Sequence, residues 1–527
     1  MFAKPPYMPR LKSSAGAAAP PLTTAQSLGS LLKSARDLMR KDKGLNGDLD
    51  RLPMLTWIMF LKFLDDLERS REQDAALAGK RFRPAVEPPY RWRDWAADAR
   101  GITGDELLAF VNQDEAIGPD GKRGPGLFAY LRRLSGADGD KRRDVIATVF
   151  RGVDNRMRSG YLLRDVINKI DGIHFTASDE LLTLGTLYES LLREMRDAAG
   201  DSGEFYTPRA VVRLMVRLSD PRIGEQVLDP AAGTGGFLVA AFEHMKPQAL
   251  SVEMHRQLQE RTLFGFEPKS LPYLLCQMNL LLHGVDAPWI DPGNALRFRL
   301  TEIGENERVD LILTNPPFGG EEERGIQGNF PEDRQTAETA LLFLQTIMRR
   351  LRRAPTAAGR AARAAVVVPN GTLFGDGVAA RIKEELLAEF NLHTIVRLPN
   401  GVFAPYTSIP TNLLFFERGG PTRAVWFYEH PLPAGRKNYS KTAPVQFDEF
   451  APLIEWWARR EDNDHAWQVP AAELRAAGCN LDRKNPRAKQ DIAHLPPEQL
   501  VASILDKERQ IVEIMQRVQA LLKEGGA

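Results

Sequence analysis

The sequence predicts an α/β domain with a largely parallel sheet, preceded by an all-helical N-terminal domain and followed by a C-terminal helix. Three observations predict it. As far as about residue 170, apolar residues recur at helical spacing. From about residue 176, short apolar runs alternate with longer helical stretches, the pattern of strands joined by crossover helices. At the end of the chain, an apolar seam recurs with a period of about 3.5 residues, as in helices that pack on another helix.

Residues 1–22 are rich in Pro, Ala and Ser and predict a loose, low-complexity tail. Residues 23–172 predict the helical domain. In "TTAQSLGSLLKSARDLMR" one face carries Leu28, Leu31, Leu32, Ala35 and Leu38, and "LPMLTWIMFLKFLDDLERSRE" continues the pattern with a charged second half. Further helices are predicted over 105–112, 126–134, 142–150 and 160–169, separated by Gly-rich turns such as "GPDGKRGPG". The α/β domain, 173–490, opens with the amphipathic helix "SDELLTLGTLYESLLREMRDA" behind a Ser/Asp start. Its strands are "QVLDP", "TLFGFE", "DLILTNPP", "RAAVVVPN", "LHTIVRLP" and "TNLLFFERG", the last two expected as an antiparallel addition at one edge. In 491–527 the seam is formed by Val501, Ile504, Ile511, Met515, Val518 and Leu522, with Glu508 as one break. That helix either meets a partner or packs back on its own domain.

Composition narrows the class. Of 527 residues, 43% are hydrophobic and 26% charged, which describes a globular protein. The two cysteines, Cys276 and Cys479, are far apart and form no CxxC, so neither a disulfide framework nor a cysteine zinc site is expected, and a reducing cytoplasm fits. The N-terminus lacks the apolar stretch of a signal peptide. The most apolar run, "LPYLLCQMNLLLHGV", is too short for a membrane span and contains Gln277, Asn279 and His283, so no membrane role is expected. With 70 basic and 69 acidic side chains the net charge is +1, low for a protein that grips many phosphates unaided. A basic patch or a partner would have to supply that charge. The run "MRRLRRAPTAAGRAARAA" (348–365) is either such a patch or an ordinary basic helix end.

Two stretches carry chemistry. "VLDPAAGTGGFLVAAF" is a strand, a turn containing Ala231, Gly233, Thr234, Gly235 and Gly236, and a helix. Glycines there let a ligand approach the backbone where the sheet opens at its carboxyl edge, although a tight strand-to-helix turn needs glycine for structural reasons too. A second strand ends in Glu267, where an acid can bond ribose hydroxyls. Asp229 at the first strand end suits a positive centre, such as the sulfonium and amino group of S-adenosyl-L-methionine, better than a pyrophosphate. No G-x-x-x-x-G-K-[ST] loop is present.

"LTNPPFGG" (313–320) then leaves its strand at that same edge. Pro316 and Pro317 remove two N–H donors and leave carbonyls as free acceptors, to which Asn315 adds a side-chain carbonyl. Acceptors beside a flat ring, Phe318, form a site for a planar group bearing an NH2. Such an amine is a poor nucleophile, because its lone pair is delocalised. Asn315 Oδ1 and the Pro316 carbonyl would hold its protons, favour a tetrahedral nitrogen and stabilise the charge that develops during methyl transfer. Phe318 would hold the ring in line. A base in a duplex reaches such a pocket only by rotating out of the stack. No metal is required.

These stretches, in order, resemble the modification (M) subunit of type I restriction–modification systems, an adenine-N6 DNA methyltransferase. "GEFYTPRAVVRLM" (203–215) is similar to that family's cofactor segment, "LDPAAGTGGFL" to its glycine motif, "FGFEP" to its acidic strand end and "LTNPPFGG" to its catalytic motif. "ALLFLQTIMRRL", "AAVVVPNGTLF" and "RLPNGVFAPYTSIPTNLLFFERG" are also similar, and the likeness covers roughly residue 25 to the end. The resemblance implies a Rossmann-like S-adenosylmethionine-dependent methyltransferase sheet. It implies that Glu204, Phe205, Tyr206, Thr207, Pro208 and Arg209 line the cofactor site, that Thr234, Gly235 and Gly236 form its loop, that Glu267 holds the ribose, and that Asn294 lies beside the cofactor adenine. Read physically, Thr207 and Pro208 could cap the helix that follows, and Glu204 and Arg209 could be a surface pair. Double-stranded DNA is the implied substrate. A separate specificity (S) subunit would read its sequence, with two M subunits per S and ATP-driven cleavage left to a restriction (R) subunit. The pocket chemistry alone also admits cytosine N4, guanine N2 of ribosomal RNA or a protein glutamine as acceptor, and the fold admits a non-catalytic DNA-binding scaffold.

Overall fold

A computed structural model describes residues 25–173 and 207–487, except for isolated positions, and helical residues between 505 and 516. The tail 1–22, the helix expected after Ser178, residues Glu204, Phe205 and Tyr206, and most of 491–527 lie outside the described residues. The chain divides into two compact units, 1–483 and 484–527. In the second, Leu505, Ile511, Val512, Ile514 and Met515 are all more than half exposed. Among the described residues no helix is long and apolar enough to cross a membrane.

The helical region forms where the periodicity places it, with helices Ala25–Met39, Asp48–Leu77, Gly104–Asn112, Leu127–Arg132, Arg142–Arg151 and Gly160–Asp171. Their apolar faces meet around Trp57, Phe60, Phe63, Phe110, Phe128 and Phe150, each at most 2% exposed. One addition interrupts the helices. The turn "GPDGKRGPG" closes a small antiparallel hairpin of β1 (Glu115–Ile117) and β2 (Arg123–Pro125), with Gly121 at φ 74° reversing the chain.

The sheet has nine strands: β3 (Val227–Asp229), β4 (Leu263–Phe266), β5 (Trp289–Asp291), β6 (Leu311–Thr314), β7 (Arg363–Pro369), β8 (Asn391–Arg397), β9 (Thr411–Glu417), β10 (Ala424–Glu429) and β11 (Ala466–Pro470). Their order is β11-β10-β8-β9-β7-β6-β3-β4-β5. From β5 to β7 all pairs are parallel, β9 runs against both its neighbours, and β11 runs against β10. All six expected strands form. The antiparallel addition is not an edge, however. β9 lies between β7 and β8, and β10 and β11 extend the sheet beyond them. Its unbroken apolar run, buried on both faces, has the pattern of an interior strand rather than an edge.

Topology decides where a site can form. From β3 the chain proceeds outward through β4 and β5, then returns to lay β6 on the other side of β3. The β3–β6 boundary is therefore the switch point of the sheet, and ligands bind outside the carboxyl ends of strands there.

Helix Ser270–Leu282 joins the helical region to the sheet. Leu274, Leu275, Met278, Leu281 and Leu282 enter the core of the helical region, while Cys276 and Leu280 enter a core against the sheet. Each buried apolar side chain stabilises by about 1.5–3 kcal/mol. The half-exposed Arg71–Asp286 ion pair nearby, at 3.0 Å, is worth under about 1 kcal/mol. Apolar packing thus dominates this junction.

Candidate active site

The loop after β3 is built to hold its backbone open. Gly233 and Gly235 have φ of 53° and 78°, values that favour glycine. A Cβ on Gly235 would meet Cys276 Sγ at 2.9 Å, so helix Ser270–Leu282 also closes off that side. Asn279 of the same helix, 1% exposed, donates from Nδ2 to the Thr234 carbonyl at 2.9 Å. Arg209 donates from Nη1 to the Gly236 carbonyl at 3.0 Å. Gly236 opens helix Gly236–Met245, so the loop ends at a helix N-terminus.

Two acids flank this loop. Glu267, 4% exposed, accepts from Gly233 N–H at 3.0 Å and from Lys269 N–H at 2.9 Å, one bond on each oxygen. Asp229, 1% exposed, accepts from Ala231 N–H at 3.1 Å and from Thr314 Oγ1 at 2.7 Å. Burial pushes its carboxyl up to about 7, against the pull of those two bonds and with the Glu267 charge adding to the rise. Asn294 follows β5 at this edge, and its Oδ1 accepts from Leu296 N–H at 2.9 Å, so it caps a short turn.

Asn315 follows β6 directly, one residue after the Thr314 that bonds Asp229. Its Nδ2 donates to Thr207 Oγ1 at 3.0 Å. Its Oδ1 is buried and has no hydrogen-bond partner among the described residues. A buried carbonyl oxygen left without a donor costs about 1–3 kcal/mol. Thr207 therefore does not cap the next helix. Pro208 occupies the cap position of Arg209–Ser219 with no side-chain cap bond, and the Thr207 hydroxyl turns to Asn315 instead. Pro316 is buried and Pro317 partly so. The half-buried Phe318 ring lies 6.3 Å from that of Phe403, tilted by 55°.

Thr207, Asp229, Thr314 and Asn315 are thus linked by hydrogen bonds, directly or through the chain, and Gly233 ties the loop to Glu267. Phe403, Thr314 and Asn279 belong to this region although no local pattern marks them. A cavity of 870 Å³ between helix Arg142–Arg151 and the β4–β5 side of the sheet is lined by Phe264, Phe266, Trp289 and Phe298, and its described lining includes none of the expected site residues.

A family model for the N-6 DNA methylases matches residues 179–494, and one for the HsdM N-terminal domain matches residues 28–170. The chain belongs to the N-6 DNA methylase family. Within it, the chain is 46% identical over 506 residues to the type I restriction enzyme EcoEI methylase subunit of Escherichia coli, covering 94% of this chain and 98% of that one. A crystal structure of a modification subunit attributed to a type I restriction enzyme of Vibrio vulnificus YJ016 is similar at 66% identity and a TM-score of 0.85, covering 89% of this chain and 99% of that one. A structure from work on complex assembly and conformational transition of the type I R-M system is similar at 40% identity and a TM-score of 0.70, covering 96% and 100%. This N-6 DNA methylase is a type I modification subunit, and its activity is N6-adenine DNA methylation. The family uses S-adenosylmethionine, and the donor set fits it: an open glycine backbone, a buried acid at the end of β4 beside that backbone, and a second buried acid for a positive centre.

Proposed function

We propose that this chain methylates the N6 of an adenine rotated out of duplex DNA, with S-adenosyl-L-methionine bound across the β3–β6 switch point. The observation that carries this is the buried, unpartnered Oδ1 of Asn315, whose amide is oriented by Thr207. An acceptor kept buried and unsatisfied is suited to an incoming N–H.

Bound S-adenosylmethionine supplies a methyl group on a positive sulfonium. Asp229 offsets that positive centre, the backbone of Ala231, Gly233, Thr234, Gly235 and Gly236 lies along it, Glu267 accepts from the ribose, and Asn294 borders the adenine. Thr207, Pro208 and Arg209 are assigned to the cofactor site, and the family resemblance assigns Glu204, Phe205 and Tyr206 to it as well. Asn315 Oδ1 and the Pro316 carbonyl accept the two N6 protons, which favours a tetrahedral nitrogen and stabilises the charge that grows on it. Pro317 keeps the backbone donor-free. Phe318 and Phe403 would grip the base by its faces, their rings being 6.3 Å apart before any base enters.

A labelled-methyl assay with target DNA and the S subunit tests this, followed by nucleoside analysis. Label in N6-methyladenine is expected. Label in ribosomal RNA or protein but not in DNA would overturn the proposal, as would N4-methylcytosine.

Cofactor binding should depend on pH. With the Asp229 carboxyl near 7, binding a cation selects its ionised form and releases a proton below that pH. Affinity is expected to rise from pH 6 to about 7 and level off above it. Calorimetry in two buffers of different ionisation enthalpy measures the proton. Asp229→Asn should remove the effect, and a buffer-independent heat at pH 6 in the parent protein would contradict the assignment.

We further assign 23–172 as the helical domain, 173–490 as the methyltransferase domain and 491–527 as the assembly helix. The exposure of Ile511 and Met515, both on the apolar seam, supports this last role. Two M subunits would join one S subunit in the cytoplasm, and an R subunit would join the complex for cleavage. Removing 491–527 should abolish co-purification with S; an intact complex would reject the assignment.

A further inference from the structure

We propose that Phe374 is the wedge that fills the gap left in the base stack when the target adenine turns out, an inference that rests on the adenine-flipping reading above. β7 lies beside β6, so the turn that follows it, Asn370–Leu373, stands at the same carboxyl edge as Asn315. Leu373 is fully buried, and the next residue, Phe374, is extended at φ −115° and ψ −171° and 45% exposed.

The backbone on both sides of that ring is fixed from below. Lys383 is 0% exposed, and its ammonium donates to the Leu373 carbonyl at 3.1 Å and the Gly375 carbonyl at 3.2 Å. Leu481 N–H donates to the Leu373 carbonyl as well, at 2.8 Å. Burial of an ammonium is costly, and fold stability alone rarely requires one. Here it anchors the two carbonyls that flank an outward-facing aromatic. The neighbouring loop is tied on through Asn370 N–H to the Pro410 carbonyl at 2.9 Å, and presents Ile409, also 45% exposed. The rim at the carboxyl edge shared with Asn315 therefore presents two exposed apolar side chains on backbone that is tied down by hydrogen bonds.

Base flipping leaves a stack with a hole, and proteins that deform DNA insert apolar side chains between base steps. Phe403 lies in the core against the sheet and Phe318 is half-buried against that core, and the reading above already assigns both rings to the faces of the flipped base. Phe374 is outside the pocket, exposed and held in place. Its ring can stack on the base pair next to the vacated position.

The test uses the complete M–S complex with a target duplex carrying 2-aminopurine at the methylated position, and methylation assays on two duplexes, one matched and one with an abasic site opposite the target adenine. Phe374→Ala is expected to lower kcat/KM on the matched duplex by about tenfold or more and to come within about threefold of the parent on the abasic duplex, where flipping is already easy. Its 2-aminopurine signal should fall in parallel, while its S-adenosylmethionine affinity stays unchanged, and Phe374→Trp should retain flipping. Parental flipping and methylation in Phe374→Ala overturn the proposal. So does an equal loss on both duplexes, which would make the ring a contact or packing residue. A parent complex that methylates adenine in neither duplex rejects the flipping reading itself, and the wedge with it.

Discussion

Asn315→Ala should lower single-turnover methyl transfer by about 10³-fold, equivalent to ~4 kcal/mol of transition-state stabilisation. S-adenosylmethionine affinity should stay within about threefold of the parent. The two halves of this expectation have different sources. The amide removed is the one whose buried Oδ1 has no partner among the described residues, so the alanine should lose an interaction with the amine and not with the cofactor. The loop that would hold the cofactor is fixed independently, by Glu267 on Gly233, by Asn279 on Thr234 and by Arg209 on Gly236. Thr207→Val is a graded companion. It leaves Oδ1 in place but removes the acceptor that orients the amide, and a drop of about tenfold is expected. Stopped-flow or quench methylation with calorimetric cofactor titration measures both parts. Substantial transfer by Asn315→Ala would reject the role assigned to it.

The sequence carries the frame of this site better than its connections. Asn315 is legible because Asn-Pro-Pro-Phe is a poor way to leave a strand for any structural reason, and the glycine loop because φ values of 53° and 78° need glycine. The hydrogen bonds that convert these pieces into a site are not local. Thr207 meets Asn315 across 108 residues and Thr314 meets Asp229 across 85, and no periodicity encodes either contact. Thr207 illustrates the limit. Its sequence context, ahead of a proline and a helix, favours a cap, and tertiary packing redirects the same hydroxyl to Asn315. Phe403 becomes part of the region only because β9 inserts between β7 and β8, which brings the loop before it over Phe318.

Strands follow the same logic. Long apolar runs such as β7 and β9 are buried on both faces and are unmistakable. β5 has three residues, too few for any period to show. β10, "AVWFYE", has the aromatic, alternating character of a half-buried strand and was open to recognition.

Charge is the least reliable guide of all, and Arg363→Met tests why. The run 348–365 looks like a phosphate-binding patch, yet most of its arginines are engaged within the fold, Arg353 being the exposed one. Arg349 donates to the Leu300 carbonyl at 2.7 Å, Arg352 to Asp310 at 2.7 Å and Arg360 to the Asp220 carbonyl at 2.8 Å, while Arg350 lies 4.9 Å over the Phe266 ring. Arg363 is the most committed. It bonds both oxygens of the fully buried Glu225 at 2.8 Å and the Ser219 carbonyl at 2.7 Å. Burial alone would raise the Glu225 carboxyl, but the bonds and charge of Arg363 outweigh it and hold the group below its ordinary value. A depressed acid contributes stability above its unfolded pKa and loses it as pH falls through the folded one. Arg363→Met strips that compensation from a buried carboxylate, and a loss of about 3–5 kcal/mol is expected at pH 7 by chemical denaturation. The gap from the parent should narrow as pH falls through the raised carboxyl of the variant towards the lowered one of the parent. Glu225→Leu with Arg363→Met should recover much of the loss, because no charge is then left unpaired. A guanidinium tied up in this way cannot release counterions from DNA, so the salt dependence of DNA binding should be unchanged in the double variant. A slope reduced by about one would mean that Arg363 reaches a phosphate after all.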